Sequence, residues 1–209
     1  MIVISHRGLW LEPAEKNTRI AFERSFAEGF GTETDVRDHR GQLVIAHDVP
    51  TDDQVLLPFD EFLLAAKALN QPLAINIKSD GLAILLSQAM SKHGITDWFV
   101  FDMSIPDMRH QLAAGNPTFA RMSEVEQTPA WPDRCEGIWL DGFDQTWFNV
   151  PLIRKLLDQG KRVCIVSPEL HHRPHLPLWE QLRAVAPHPK FILCTDLPRD
   201  AKAFFKDAT

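Results

Sequence analysis

The first 36 residues, MIVISHRGLWLEPAEKNTRIAFERSFAEGFGTETDV, have the residue pattern of a strand, a helix and a second strand. The run MIVIS (1–5) is apolar and rich in β-branched residues, which is typical of a buried strand. Asn17 and Thr18 open the segment TRIAFERSFAEGF, whose aliphatic and phenyl side chains recur at helical spacing before two glycines. The run TETDV (32–36) predicts the next strand, so this stretch predicts a β/α unit.

The same alternation continues to the end of the chain. If TETDV and LVIAH count as one hairpin-like unit, there are eight strand-type units, at residues 1–5, 32–36 with 43–47, 73–77, 98–102, 118–122, 137–141, 162–166 and 191–195. Helix-type segments separate them, except where Pro129 and Pro132 interrupt the pattern. The alternation predicts a single-domain α/β protein over residues 1–209, with the (β/α)8 TIM-barrel fold at about its minimal length. A doubly wound open sheet is the alternative.

Composition and charge exclude several classes of protein. The chain has 22 Lys and Arg against 28 Asp and Glu, a formal net charge of −6, which disfavours nucleic acid as a partner. No window approaches the roughly 18 apolar residues of a membrane helix, so we expect no membrane span. The N-terminal residues do not have the pattern of a secretory signal, and we expect a cytoplasmic protein. The three cysteines are far apart, which predicts reduced, buried thiols. The oligomeric state stays open.

Polar side chains end the predicted strands, and in a barrel the C-terminal strand ends converge on one mouth. Glu33 and Asp35 lie two residues apart on one strand, so their side chains face the same side. Two inward carboxylates repel each other and lose hydration unless a cation neutralises them. Because oxygen ligands suit Mg²⁺ or Ca²⁺, the pair predicts a divalent-cation site.

Other strand ends supply positive charge and proton transfer. Asn76 and Lys78 share one face of their strand, while His6 follows the run 1–5 and His47 ends the run 43–47. A carboxylate pair beside a cation and two histidines suits phosphate ester chemistry, in which cations stabilise phosphoryl charge and histidines move protons. A salt-bridge network with a purely structural role is the alternative. In the loop after residues 162–166, Glu169 is a candidate substrate contact or replacement metal ligand.

Several short motifs follow one another within residues 4–48, and two further motifs lie later in the chain. They are His6-Arg7-Gly8, Asn17-Thr18 with Ala21-Phe22, Gly31, Glu33-Thr34-Asp35-Val36 and His47-Asp48, followed by Ile75-Asn76-Ile77-Lys78 and Thr195-Asp196-Leu197-Pro198. Together these motifs resemble the glycerophosphodiester phosphodiesterase family. The resemblance implies a TIM barrel that hydrolyses phosphodiesters of lipid metabolism with a divalent cation.

The resemblance also implies roles for individual residues. They are His6 and His47 as the general acid–base pair, Arg7 and Lys78 as phosphate-binding or pocket cations, and Glu33 and Asp35 as metal ligands, with Asn76 at the position of a third ligand. In the implied mechanism a neighbouring hydroxyl of the substrate attacks phosphorus, and water then opens the resulting cyclic phosphate. Which histidine is the base and which is the acid stays open.

Three features depart from the family pattern. Asn76 stands where the family usually has Glu, so the predicted metal site loses a negative charge unless an acid such as Glu169 replaces it. Lys16 stands where the family has an acidic residue before Asn-Thr, with Glu15 one step earlier. In the family, an insertion usually follows the motif that corresponds to His47-Asp48. This chain does not have it, so we expect a more open substrate pocket.

We therefore expect a Mg²⁺- or Ca²⁺-dependent phosphodiesterase that acts on a glycerophosphodiester or a similar small polar phosphodiester. Two alternatives keep the same residues. In the first, the reaction stops at the cyclic phosphate and the protein is a lyase. In the second, which Asn76 motivates, a degenerate barrel binds a phosphorylated ligand without turnover.

Overall fold

The structure is a computed structural model that describes residues 1–67 and 70–206. Over these residues the strands are β1 (Ile2–His6), β2 (Gly31–His39), β3 (Gln42–Ile45), β4 (Leu57–Pro58), β5 (Leu73–Ile77), β6 (Trp98–Phe101), β7 (Phe119–Met122), β8 (Gly137–Leu140), β9 (Arg162–Val166) and β10 (Phe191–Thr195). The α-helices are α1 (Arg19–Ala27), α2 (Phe59–Ala66), α3 (Ala83–His93), α4 (Ile105–Ala113), α5 (Val150–Asp158), α6 (Leu176–Leu182) and α7 (Pro198–Phe204).

The chain divides into two compact units. The N-terminal unit is His6–Thr118, and the C-terminal unit joins Met1–Ser5 to the segment that begins at Phe119. The single domain predicted over residues 1–209 stays a prediction.

In the N-terminal unit, β2 pairs with strands on both of its edges. It is parallel to β5, where Asp35 lies opposite Asn76, and antiparallel to β3, where Val36 lies opposite Ile45. Strand β5 pairs in parallel with β6, and β3 pairs with the short strand β4. The predicted hairpin of β2 and β3 is therefore present. Strand β4 has two residues, too few for a periodic pattern to predict it.

In the C-terminal unit, the described strands β1, β10, β9, β8 and β7 pair in that order, and each pairing is parallel. Parallel neighbours need a crossover connection, and most crossovers here contain an α-helix. The connection from β7 to β8 contains the 3₁₀ turn Pro132–Arg134 instead. This agrees with the prediction from the prolines of that segment.

Side-chain caps begin two of the helices. The Ser104 Oγ accepts a hydrogen bond from the Asp107 N–H at the start of α4. The Asn149 Oδ1 accepts one from the Leu152 N–H at the start of α5. Both caps satisfy a backbone donor that the helix leaves unpaired. Asp80, which precedes α3, accepts a hydrogen bond from the Ser104 hydroxyl.

The core strands are buried along their length. Strands β5 and β10 are buried at every position, as expected for parallel strands with both faces covered. Cys135, Cys164 and Cys194 are buried free thiols, which agrees with the prediction. Among the described residues, no helix combines the length and the apolar character needed to cross a bilayer.

Gly8 allows the turn after β1 to approach α1 closely. Its φ is +85°, and a Cβ atom at this position would lie 2.7 Å from the Cβ of Ala21. The Gly8 N–H donates a hydrogen bond to the Thr32 hydroxyl at 3.0 Å, which ties the turn to β2. Glycine satisfies both requirements because it has no side chain and tolerates positive φ.

Gly8→Ala should lower the free energy of unfolding by about 2–4 kcal/mol, since positive φ and overpacking each cost about 1–2 kcal/mol. The measurement is urea denaturation followed by circular dichroism. Gly29→Ala is the matched control, because Gly29 has a φ of +77° and open space around its Cβ position. Equal losses in the two variants would show that contact with Ala21 contributes nothing.

Candidate active site

The site is centred on the carboxylate pair of β2. Glu33 and Asp35 are 1% and 0% exposed, and their two-residue spacing places them on the same face of the strand. Burial raises the pKa of Glu33 well above its ordinary value, and the negative charge of Asp35 raises it further. Arg7 and Lys78 act in the opposite direction. Arg7 and Lys78 therefore offset only part of the effect of burial and of repulsion by Asp35 on the pKa of Glu33.

Two cations and an amide contact Asp35. The Arg7 Nε lies 2.7 Å from Oδ2, and the Lys78 Nζ lies 3.3 Å from Oδ1. The Asn17 Nδ2–H donates a hydrogen bond to Oδ2 at 2.8 Å. Loss of one partner from such a buried ion pair typically costs about 3–5 kcal/mol. The structure thus brings together four residues predicted for the site, Arg7, Glu33, Asp35 and Lys78.

The backbone around Arg7 and Asn17 is bent to make these contacts. Both residues have left-handed conformations, with φ of 58° and 60°. The Arg7 N–H donates to the Glu33 carbonyl at 3.0 Å, and the Asn17 N–H donates to the Arg7 carbonyl at 3.0 Å. The Thr34 hydroxyl donates to the Asn17 Oδ1 at 2.9 Å. Asn17 therefore links the loop before α1 to β2.

Asn17 is a site residue that the sequence analysis did not assign. Its position before Thr18 and a helix reads as a helix start, which is a common local role for asparagine. The helix begins at Arg19, and the Asn17 side chain bonds to β2 instead. The available signal was its place in the Asn17-Thr18 motif.

The two predicted histidines differ in their surroundings. The His6 Nε2, at the end of β1, lies 3.9 Å from the Glu33 Oε2, and its side chain is 14% exposed. The His47 side chain is 47% exposed, and its Nδ1 lies 2.8 Å from the Asp48 Oδ1. Hydrogen bonding and attraction by His47 lower the pKa of Asp48. The imidazole ring of His47 is thus exposed and oriented by Asp48, whereas His6 lies beside the buried carboxylates.

Asn76 contributes a buried acceptor. It is 7% exposed, and its Nδ2–H donates a hydrogen bond to the Asp102 Oδ2 at 3.4 Å. Its Oδ1 has no hydrogen-bond partner among residues 1–67 and 70–206. A buried carbonyl oxygen without a partner is costly, and a bound cation would satisfy it.

The donor set fits a hard divalent cation in chemistry. Glu33, Asp35 and Asn76 offer carboxylate and amide oxygens, the ligands that Mg²⁺ and Ca²⁺ prefer. The negative charge is small, because the described residues contain no group of three or more His, Cys, Asp or Glu placed to hold a metal. Arg7 and Lys78 also share the charge of Asp35. The donor set therefore fits a divalent cation that has at most two charged protein ligands, Glu33 and Asp35.

A cavity of about 780 Å³ lies beside these groups in the N-terminal unit. Arg7, Asn17 and His47 are part of its wall. Its other polar lining residues lie in the loop before α1, at the first residue of α1, in the segment between β3 and β4 and on α2, while apolar side chains of β3 and the segment 55–58 cover part of the wall. Substrate in this cavity would contact residues that bond to the carboxylate pair.

Glu169 lies in the C-terminal unit, in the 3₁₀ turn Pro168–His171. Its carboxylate accepts hydrogen bonds from the Ser167 hydroxyl, the Thr195 hydroxyl and the Asp196 N–H. These bonds hold the turn to the end of β10. The predicted role of Glu169 in binding substrate or metal stays a prediction.

No protein-family model matches the chain, and no curated protein matches its sequence. Its fold is similar to that of a glycerophosphodiester phosphodiesterase from Agrobacterium tumefaciens, with 15% identity, 99% of both chains covered and a TM-score of 0.71. The enzyme of that name from Thermotoga maritima matches with 15% identity over 97% of this chain and 98% of that chain, at a TM-score of 0.66. A glycerophosphoryl diester phosphodiesterase from Parabacteroides distasonis matches with 13% identity over 99% of this chain and 86% of that chain, at a TM-score of 0.71. Likeness at these identities shows the fold, which is the predicted (β/α)8 barrel.

Proposed function

We propose that the protein is a divalent-cation-assisted phosphodiesterase that hydrolyses a glycerophosphodiester or a similar small polar phosphodiester. The observation that carries this proposal is the contact of Arg7 and Lys78 with Asp35, beside Glu33, in which Arg7 also forms part of the wall of a large cavity. Such a cluster offers cations to phosphoryl oxygens and carboxylates to a metal ion. The fold shared with glycerophosphodiester phosphodiesterases supports the same reaction.

Arg7 and Lys78 bind and orient the phosphate in this proposal. Their contacts with Asp35 fix the positions of the guanidinium and ammonium groups before substrate arrives. Preorganised cations stabilise the charge that develops on the phosphoryl oxygens, with little reorganisation during the reaction. Glu33, Asp35 and the Asn76 Oδ1 would hold Mg²⁺ or Ca²⁺. When bound, that ion would supply further stabilisation of phosphoryl charge.

His6 and His47 carry the protons. One histidine takes the proton from the substrate hydroxyl that attacks phosphorus, and the other gives a proton to the departing alkoxide. The product of this step is a cyclic phosphate and a free alcohol. Water then adds to phosphorus and opens the ring, with the same two histidines moving protons in reverse. The Asp48 carboxylate at the His47 Nδ1 orients that ring for the transfer.

His6→Ala and His47→Ala should each lower kcat by about 10²–10⁴-fold, the usual contribution of general acid–base catalysis. The measurement is the release of phosphomonoester from glycerophosphodiesters and a nitrophenyl phosphodiester, with Mg²⁺, Ca²⁺, Mn²⁺ or a chelator present. His110→Ala is the matched control, since His110 is exposed on α4. Full activity in either site variant would refute the acid–base assignment.

Asn76→Glu should lower the melting temperature in chelator, because a third carboxylate would join Glu33 and Asp35 and would lie next to Asp102. Addition of Mg²⁺ or Ca²⁺ should then raise the melting temperature more in this variant than in the natural protein. Asn76→Gln, which keeps the longer side chain without charge, is the control. A cation that shifts neither melting temperature would contradict the proposed metal ligands.

A further inference from the structure

His47 lies at the boundary between the buried hairpin of β2 and β3 and an exposed segment. Strand β3 ends at Ile45, and Ala46 after it is 8% exposed. The His47 side chain is 47% exposed, its partner Asp48 is 94% exposed, and residues 51–55 are exposed throughout. An exposed pair of this kind orients the ring but contributes little free energy. The position of the ring therefore also depends on what holds the backbone of His47.

Two contacts tie the backbone at the end of this hairpin to β2. The Ala46 N–H donates a hydrogen bond to the Asp35 carbonyl at 3.1 Å, which continues the pairing of β2 with β3. The Arg37 Nε–H donates one to the His47 carbonyl at 3.2 Å. The second contact reaches one residue further along the chain and is made by a side chain. The identity of residue 37 therefore determines whether this contact exists.

The position of Arg37 on β2 allows this contact. It lies two residues after Asp35 and opposite Val44 of β3, so its half-buried side chain leaves the strand on the same face as the Asp35 carboxylate. Arg37 is not among the described residues that line the 780 Å³ cavity, whereas His47 is. Arg37 thus bonds to a residue of the cavity wall from outside the cavity.

The charge of Arg37 acts on the ring partner of the same histidine. The pKa of Asp48 is lowered chiefly by its hydrogen bond with His47 and by the charge of that ring. The positive charges of Arg7 and Arg37 lower it further. Asp48 therefore stays ionised at neutral pH and remains an acceptor for the His47 Nδ1. One side chain of β2 thus bonds to the backbone of His47 and favours the ionised form of its ring partner.

We propose that Arg37 is a positioning residue for His47. Its Nε–H holds the His47 carbonyl and thereby keeps the imidazole where it exchanges a proton with a substrate oxygen. This inference rests on the proposed phosphodiesterase activity and adds a residue that acts on the reaction without touching the substrate. Proton transfer depends on the distance and orientation of the reacting groups. Loss of the contact therefore lowers the rate of the chemical step and not the affinity for substrate.

Three substitutions separate the hydrogen bond of Arg37 from its charge. Arg37→Met removes both. Arg37→Gln places an amide N–H the same number of bonds from Cα as the arginine Nε, without the charge, and Arg37→Lys keeps the charge without a donor at that position. Arg37→Met should lower kcat about tenfold, the effect of one hydrogen bond on a rate, and should change KM less than about twofold. Arg37→Gln should keep kcat within about threefold of the natural protein, and Arg37→Lys should lie between the other two.

A double-variant comparison shows whether Arg37 acts through His47. In a His47→Ala background, Arg37→Met should cause no further loss of kcat, because the ring that it positions is gone. The substrate is a nitrophenyl phosphodiester, whose coloured product makes weak activity measurable. Arg109→Met is the matched control, since Arg109 is exposed on α4, and it should leave kcat unchanged in both backgrounds.

A second readout follows the His47 ring without turnover. In protein with isotope-labelled histidine, the ring signals of His47 in the NMR spectrum are those that disappear in His47→Ala. Arg37→Met should move these signals toward the values of free histidine. Arg37→Gln should leave them near their positions in the natural protein. Ring signals that are the same in all of the Arg37 variants would overturn the inference.

The outcomes separate this inference from the proposed function. Turnover of no phosphodiester by the natural protein would refute the proposed function, and the catalytic role of Arg37 would fall with it. Turnover with equal kcat in the natural protein and Arg37→Met would refute the inference alone. Equal losses in Arg37→Met and Arg37→Gln would overturn the role of the hydrogen bond. A loss that recurs in full in the His47→Ala background would show that Arg37 does not act through His47.

Discussion

Burial of two carboxylates on one strand is the constraint on which the rest of the N-terminal unit depends. Glu33 and Asp35 are removed from water, so each needs compensation from neighbouring segments. Lys78 reaches Asp35 because β5 is parallel to β2 with Asp35 opposite Asn76, which places Lys78 two residues further on the same face. A shift of one residue in this register would turn Lys78 away and remove one of the two cations that contact Asp35. The ion pair between Lys78 and Asp35 and the register of β2 with β5 therefore stabilise each other.

The second cation imposes a different requirement, because Arg7 comes from a turn rather than from a strand. The backbone is left-handed at Arg7 and Gly8 in that turn and at Asn17 in the loop before α1. Conformations of this kind cost free energy in residues other than glycine and persist where surrounding contacts stabilise them. Here the contacts are backbone hydrogen bonds between Arg7, Asn17 and Glu33 and the side-chain bonds of Asn17 to β2. Two left-handed residues other than glycine, Arg7 and Asn17, therefore lie where cations meet carboxylates.

Sequence periodicity predicted the parts of this arrangement that repeat along the chain. The alternation of strands and helices gave the fold class, and the two-residue spacing placed Glu33 with Asp35 and Asn76 with Lys78. It did not identify Asn17 as a site residue, because the same sequence suits a helix start and only tertiary contacts decide between the roles. Asp80 is a second example: its position shortly before α3 suits a helix cap, but its side chain accepts a hydrogen bond from Ser104. The strand β4 is defined by its pairing with β3 rather than by a pattern of its own.

The charges around Asn76 explain what an amide contributes at this position. Two carboxylates already face two cations, and Asp102 lies next to the Asn76 amide. A carboxylate at position 76 would add a third buried negative charge to a cluster with two cations, whereas the amide supplies an oxygen without a charge. Because the Nδ2 bonds to Asp102, the Oδ1 is the atom left for a ligand. In the proposed function, a cation held with so little protein charge binds weakly, and Arg7 and Lys78 carry a larger share of the phosphate charge.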